Sequence, residues 1–316
     1  MAKTKEISRR IKSVTSTKKI TKAMEVVAAA KMRKAIEAVL KTRTYANLSW
    51  ETVLHLAALE ASRSESLHPL LKKREKINKV AIILITSNRG MCGGYNTAVI
   101  NKAKESIAKH PVETDFILVG KKGSVVHRQN YNVAAEFTKS DILTDARDIY
   151  PIVKMALSDY AHKKYDKILV AYTDFVNPVK QIPRVKQLVP VEVEKEDGCL
   201  GIVGQDPKVG VTTELVGEKS QKHLSADNYS YEYTFEPSPR EVLDKMIPRL
   251  VEIQLYQAFL EANASEHSAS MTAMHQATEA ASDMISELTL FYNKARQAGI
   301  TAEIAEISAG ANALAE

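Results

Sequence analysis

From residue 7 onward, apolar or β-branched side chains return every three or four positions: Ile7, Ile11, Val14, Thr17, Thr21, Met24 and Ala28. That spacing lays one stripe along an α-helix. Neither Gly nor Pro occurs in the first 67 residues, and Ala, Lys, Glu, Met and Arg dominate there, so the pattern predicts a long helix over residues 1–67. "SVTSTKKIT" is its weakest helical stretch. Pro69 breaks the pattern.

The period then switches. "KVAIILITS" is a run of buried-strand residues and "SNRGMCGGYN" a Gly-rich loop. "TAVINKAKESIAKH" returns to helix, "TDFILVG" to strand, "KKGSVVHRQN" to helix and "VAAEF" to strand. "DARDIYPIVKMALSDYAHKKY" predicts a further helix and "DKILVAYTDFV" a further strand, with "RVKQLVPVEVE" and "YSYEYTFE" a final pair of strands. Strands alternating with helices predict a parallel α/β sheet covered on both faces over residues 77–236. Residues 194–228 form a loop-rich excursion from it.

The last segment, residues 238–316, opens on "SPRE": Ser238 as N-cap, Pro239 in the first turn and Glu241 closing a capping box. Pro248 should bend this helix. Met274, Ala277, Ala281, Met284, Leu288, Phe291, Ala295 and Ala298 stand at heptad spacing and predict a coiled-coil seam. Fully helical, the stretch from Pro239 onward would measure about 115 Å. Its end, "ITAEIAEISAGANALAE", is rich in Ala, Ser and Gly, carries Glu303 and Glu306, and has no Lys or Arg after Arg296. It reads as a slim, faintly acidic rod.

Charge ties the two ends together. The net charge of +6 hides +10 over residues 1–44, with 13 Lys/Arg against three Glu, and −6 over residues 239–316, with five against eleven. Two apolar stripes of opposite charge predict that the terminal helices pair with each other, antiparallel, with the longer C-terminal helix projecting beyond its partner. No apolar run approaches the roughly 20 residues of a membrane span. The N-terminus lacks the apolar stretch of a secretory signal. Cys92 and Cys199, 107 positions apart, form no metal or redox set and fit a reducing cytosol.

Candidate chemistry is sparse. "SNRGMCGGYN" matches neither G-x-G-x-x-G nor a Walker loop, which favours a structural turn or contact loop over a nucleotide site. Glu266-His267 lacks the second His of H-E-x-x-H, so a helix-surface or buried histidine is the better reading than zinc. The basic first helix has no interleaved aromatic residue before Tyr45, which argues against nucleic acid. "NKARQAGIT" sets Arg296 and Gln297 in a small, apolar run, and a guanidinium can grip a carboxylate or carbonyl in two places. On the residues alone, a structural coiled-coil adaptor, an α/β enzyme with helical arms and a nucleic-acid binder stay open as alternatives.

"ITAEIAEISAGANAL" is very similar to the C-terminal signature of the gamma subunits of F-type rotary ATP synthases. "SRRIKSVTSTKKITKAMEVVAAAKM", "SNRGMCGGYN" and "ANASEHSASMTAM" resemble the N-terminal helix, central loop and C-terminal helix of that family. Ser270 and Thr278-Glu279-Ala280 depart from its usual Arg and Asn. The resemblance implies an antiparallel coiled coil carrying a Rossmann-like α/β domain. It also implies a non-catalytic rotor shaft, one copy per complex, without metal or cofactor and with no nucleic-acid partner. Its partners would be the alpha and beta subunits, an epsilon-type subunit and the membrane c-ring, at the cytoplasmic face of a bacterial membrane. Arg296 and Gln297 then match a catch on the beta subunit, with Thr301, Glu303, Glu306 and Met24 as coupling positions. Tyr233 and Glu236 fall where the foot meets the membrane ring.

Overall fold

In the computed structural model, the described residues are 2–62, 70, 74, 76–109, 111–141, 146–191, 236 and 239–315. The excursion over residues 194–228, Tyr233 and Cys199 lie outside them, as does all of "YSYEYTFE" except Glu236. Two long helices, α1 (Ala2–Ser62) and α4 (Pro239–Ala315), precede and follow a five-stranded sheet along the chain. Two compact units result, Met1–Ala29 with Ser270–Glu316, and Ala30–Ala269; α1 and α4 contribute to both.

In the larger unit the strands are β1 (Lys79–Ile85), β2 (Glu113–Val119), β3 (Asn132–Phe137), β4 (Lys167–Phe175) and β5 (Gln181–Val189), in the order β3-β2-β1-β4-β5. β1 pairs in parallel with both β2 and β4, and β2 with β3. β5 departs from the expected parallel sheet: it runs antiparallel to β4. Only a few residues separate them, and a parallel crossover needs a dozen or more. Asn177 closes this hairpin, its Oδ1 accepting the backbone N–H groups of Val179 and Lys180.

Helix α2 (Tyr95–Lys109) sets Val99, Ile100 and Ala103 against Val80, Ile82 and Leu84 of β1 and Phe116 and Leu118 of β2. The alternate positions Ala81, Ile83 and Ile85 are also buried, so β1 is covered on both faces. Helix α3 (Tyr150–Ala161) packs on β4. "KKGSVVHRQN", expected as an ordinary helix, is a 3-10 helix over Lys121–Gln129. Gly120, just before it, has φ 92°, and a β-carbon there would fall 2.4 Å from the Thr86 carbonyl oxygen. A tight strand exit of this kind accepts only glycine.

Helix α4 continues through Pro248. From Leu250 to Ser268 nearly every residue is buried, which an amphipathic surface helix would not show. Polar residues therefore enter the interior with it. Ser265 Oγ donates to the Thr173 carbonyl at 3.0 Å, placing this turn of α4 beside the end of β4. One turn earlier, Glu261 is fully buried and neither carboxyl oxygen has a hydrogen-bond partner. Asp174 is its neighbour, with Oδ2 held by Arg184 Nε at 2.9 Å and Oδ1 buried without a partner. Burial, then the charge of Asp174, push the Glu261 pKa well above its ordinary 4.5; the cations of Lys186 and Arg184 oppose this only in part.

A raised carboxyl pKa makes the folded chain hold a proton that the unfolded chain has released. Stability should therefore fall as pH rises above about 4.5 toward the raised value, by up to about 1.4 kcal/mol per pH unit. Glu261→Gln keeps the shape without the titration. Its melting temperature should decline less than the parent's between pH 5 and pH 8; an equal decline in both would show that Glu261 does not govern it.

Candidate functional site at the paired helices and tip

In the smaller unit, three polar contacts join the two helices. Lys18 Nζ donates to Ser282 Oγ at 3.0 Å, Thr278 Oγ1 to Thr21 Oγ1 at 2.8 Å, and His275 Nδ1 lies 3.3 Å from Glu25 Oε1. Numbers rise along one helix as they fall along the other, so the pair is antiparallel. Small or flexible side chains close the gap between the contacts: Ala28, Met274 and Ala281 are buried. Thr278, one of the departures from the family pattern, is thus a cross-helix partner, and it also donates to the Met274 carbonyl at 2.7 Å. The Ser- and Thr-rich stretch of α1 stays helical while Thr15, Thr17 and Thr21 donate to carbonyls three or four residues back.

Three positions of the expected seam are corrected by one residue. Met274, Ala277, Ala281, Leu288 and Ala295 are buried or half-buried as predicted, with Thr278 beside Ala277, but Ile285, Tyr292 and Gly299 are covered where Met284, Phe291 and Ala298 were expected. Met284 and Phe291, assigned to the seam from the sequence, are each 50% exposed. Both choices satisfy a heptad, stepping either three or four residues from the first position. Apolar character at heptad spacing favoured Met284 and Phe291, whereas the partner helix covers Ile285 and Tyr292, one position on. On α1, likewise, Thr17 is exposed and Lys18 turns inward to Ser282.

Extended in register, the pairing runs out near residue 299, opposite the start of α1. Every residue from Ile300 to Ala309 is exposed, so the C-terminal helix projects alone. The rod is not uniformly slim. Ile300, Ile304 and Ile307 are 47%, 62% and 73% exposed, and at i, i+4 and i+7 they form one apolar stripe. The Ala-rich composition concealed it.

Arg296 and Gln297 are exposed at the root of this projection, and Ile300 follows Arg296 by four positions on the same face. Thr301, Glu303 and Glu306 are exposed above them. The Thr301 hydroxyl donates to the Gln297 carbonyl at 3.0 Å, so it is committed to its own helix. These five share about 15 Å of helix. Met24 does not join them: half-buried in the paired section, it lies level with His275, about 30 Å along the helix from Arg296. Glu236 is exposed.

Sequence reasoning missed the polar contacts between the helices. Their signal was the run of Ser, Thr and Lys at stripe positions, which looked like helix weakness. The Gly-rich loop is braced by its neighbours: Asn96 Oδ1 accepts the Ser87 N–H at 2.9 Å, and Tyr95 donates to the Ala262 carbonyl of α4 at 3.2 Å. Cys92 is a free, buried thiol whose pKa burial raises. His267 is buried, with Nε2 3.0 Å from the Asp141 carbonyl, and burial lowers its pKa. Among the described residues, no three His, Cys, Asp or Glu cluster as a metal site would require.

The ATP synthase family model matches residues 3–314. The ATP synthase gamma chain of Pelotomaculum thermopropionicum is 39% identical over 315 residues, covering 99% of this chain and all of the relative. That of Herpetosiphon aurantiacus is 37% identical and covers 99% of both. Among solved structures, a chain of the Euglena gracilis mitochondrial ATP synthase rotor has a TM-score of 0.59 at 16% identity, over 95% of this chain and 99% of that one. A chain of the Tetrahymena thermophila central stalk and c-ring has a TM-score of 0.56 at 18% identity, over 82% and 99%. At such identities these two likenesses speak for the fold: a helical stalk with an inserted α/β domain.

The contact between Thr21 and Thr278 is open to a direct check. Cysteines at both positions should form a disulfide within one chain under mild oxidation, leaving a monomer on a non-reducing gel. A product of twice the mass would mean that the helices pair between copies.

Proposed function

This chain belongs to the ATP synthase gamma-chain family, and on that premise we propose that it is the central rotor shaft of an F-type ATP synthase. It carries no catalytic residue of its own; synthesis or hydrolysis of ATP belongs to the whole complex. The chain couples ion flow through the membrane to the chemistry of the alpha and beta subunits by rotating between them. The supporting observation is the helix that leaves its partner near residue 299 and continues alone, exposed from Ile300 to Ala309. An unpartnered apolar stripe on a polar-flanked helix calls for an enclosing surface, which a ring of alpha and beta subunits would supply.

Within that reading the small residues and the isoleucines divide the work. Ala, Ser and Gly give low relief, so no angular position traps the tip. Ile300, Ile304 and Ile307 keep it in contact with an apolar sleeve, since hydrophobic attraction has no preferred direction. Directional grip falls to Arg296 and Gln297, which present hydrogen-bonding groups to beta subunits. Each hydrogen bond to a charged group is worth about 1.5–3 kcal/mol, enough to favour one angular state and weak enough to be broken by ion-driven rotation. Glu303 and Glu306 add acidic contacts above, and Met24 acts lower on the shaft.

The foot, with Glu236 and Tyr233, rests on the membrane c-ring and an epsilon-type subunit. Among the described residues no helix is long and apolar enough to cross a membrane. The rotor reading makes the chain a peripheral subunit at the cytoplasmic face of a bacterial membrane. The chain serves as one copy per complex, without cofactor.

Purification of the tagged chain from gently solubilised membranes should bring an ATP-hydrolysing complex with it; a lone chain or a homodimer would overturn the reading. In that complex, Arg296→Ala or Gln297→Ala should reduce ATP turnover, or ion pumping per ATP, by about tenfold, with assembly intact. Truncation after Gly310 should cost much less. A truncation more damaging than either substitution would refute the division between bearing and grip.

A further inference from the structure

Three consecutive residues after β3 each grip α4. Lys139 Nζ lies 2.6 Å from Glu266 Oε2, Asn263 Nδ2 donates to the Ser140 carbonyl at 3.3 Å, and His267 Nε2 lies 3.0 Å from the Asp141 carbonyl. The same strip reaches the other long helix, because Asp141 Oδ2 is 3.0 Å from Lys31 Nζ of α1. Its far side is fastened to the Gly-rich loop, where Asn88 Nδ2 donates to the Lys139 carbonyl. Asp141 therefore touches both helices at once. All of these residues belong to the larger unit.

Energetics make the Lys139–Glu266 pair unusual. The Lys139 side chain is 1% exposed and that of Glu266 12%. The ammonium lies 5.7 Å from the Tyr95 ring centroid, which gives it an aromatic wall as well as a carboxylate. Removing two charges from water costs more than their attraction readily returns, and an apolar pair of similar size is often as stable or more so. What an apolar pair lacks is direction: hydrocarbon contacts tolerate a small rotation of the helix, whereas a short ionic hydrogen bond does not. A buried pair facing only one way on α4 fixes the azimuth of that helix on the sheet.

Resting on the rotor reading, we infer that the strip Lys139–Ser140–Asp141 is the torque joint of this chain, with Lys139 and Glu266 as its positioning residues. Torque enters through the α/β foot and leaves through α1 and α4. Covalent connections at the helix ends pass force along the chain but do not stop a helix from turning about its own axis. The ion pair and its two neighbours form that stop where α4 meets the strip after β3, alongside Ser265 and Ser268 where it meets β4 and its hairpin, and Lys31–Asp141 supplies it on α1.

The double variant Lys139→Met, Glu266→Leu, assembled in the complete complex in membrane vesicles, separates this role from a merely structural one. Its melting temperature should equal or exceed the parent's, and its ATP hydrolysis should stay within about twofold, because the tip is unchanged. ATP-driven ion pumping per ATP hydrolysed should fall at least threefold, and most steeply against an opposing gradient. Lys31→Met, at a partly exposed site that folding tolerates, should lower the same ratio by a smaller factor. A parental pumping ratio in Lys31→Met, or in an assembled double variant, overturns the inference. Absence of any ATP-hydrolysing complex around the parent chain would instead overturn the rotor reading.

Discussion

A helix sunk into a domain over five turns must have every polar side chain accounted for, and this constraint organises the larger unit. Residues 250–268 of α4 carry Glu252, Gln254, Gln257, Glu261, Asn263, Ser265, Glu266, His267 and Ser268, all buried. Most are answered by the sheet and its loops. Ser265 reaches the end of β4, Ser268 donates to the Pro178 carbonyl in the β4–β5 hairpin at 2.8 Å, and Asn263, Glu266 and His267 reach the strip after β3. The strand order follows from the same need: β4 lies between β1 and β5, and its C-terminal end meets α4.

Where the accounting fails, the charged form is disfavoured. Glu261 finds no donor, and burial beside Asp174, whose charge Arg184 already holds, raises its pKa. Lys139 and Glu266 show the opposite solution, a buried cation beside a buried anion. The two sites lie about one and a half turns apart on one helix, and they differ because only Glu266 has an ammonium in direct contact.

The smaller unit obeys a different rule. Its two helices meet through small residues and hydroxyls, so the axes approach closely and the outer faces remain free. Met284, Phe291 and Leu290 are exposed there, as are Ile20, Val26 and Val27 on α1. Apolar side chains turned outward along a thin pair of helices are costly for a free protein and suit one enclosed by partners. The projecting tip extends the same economy of relief, with three isoleucines as its outward apolar groups.

Sequence alone determined the elements that depend on local periodicity: two long helices at the ends and the alternation of strands and helices between them. These follow from 3.6- and 2-residue repeats that every residue reports independently. It also carried the family, through contiguous stretches such as "ITAEIAEISAGANAL". Tertiary structure decided what depends on which neighbour arrives. Ile285 and Tyr292 take the seam in place of Met284 and Phe291 because those are the positions the facing helix covers. β5 turns back antiparallel because its connection is short. Lys139, in an undistinguished stretch, becomes a buried cation only because Glu266 stands opposite it, 127 residues away. A pairing across that distance leaves no local repeat to read, since neither residue's immediate neighbours reflect it.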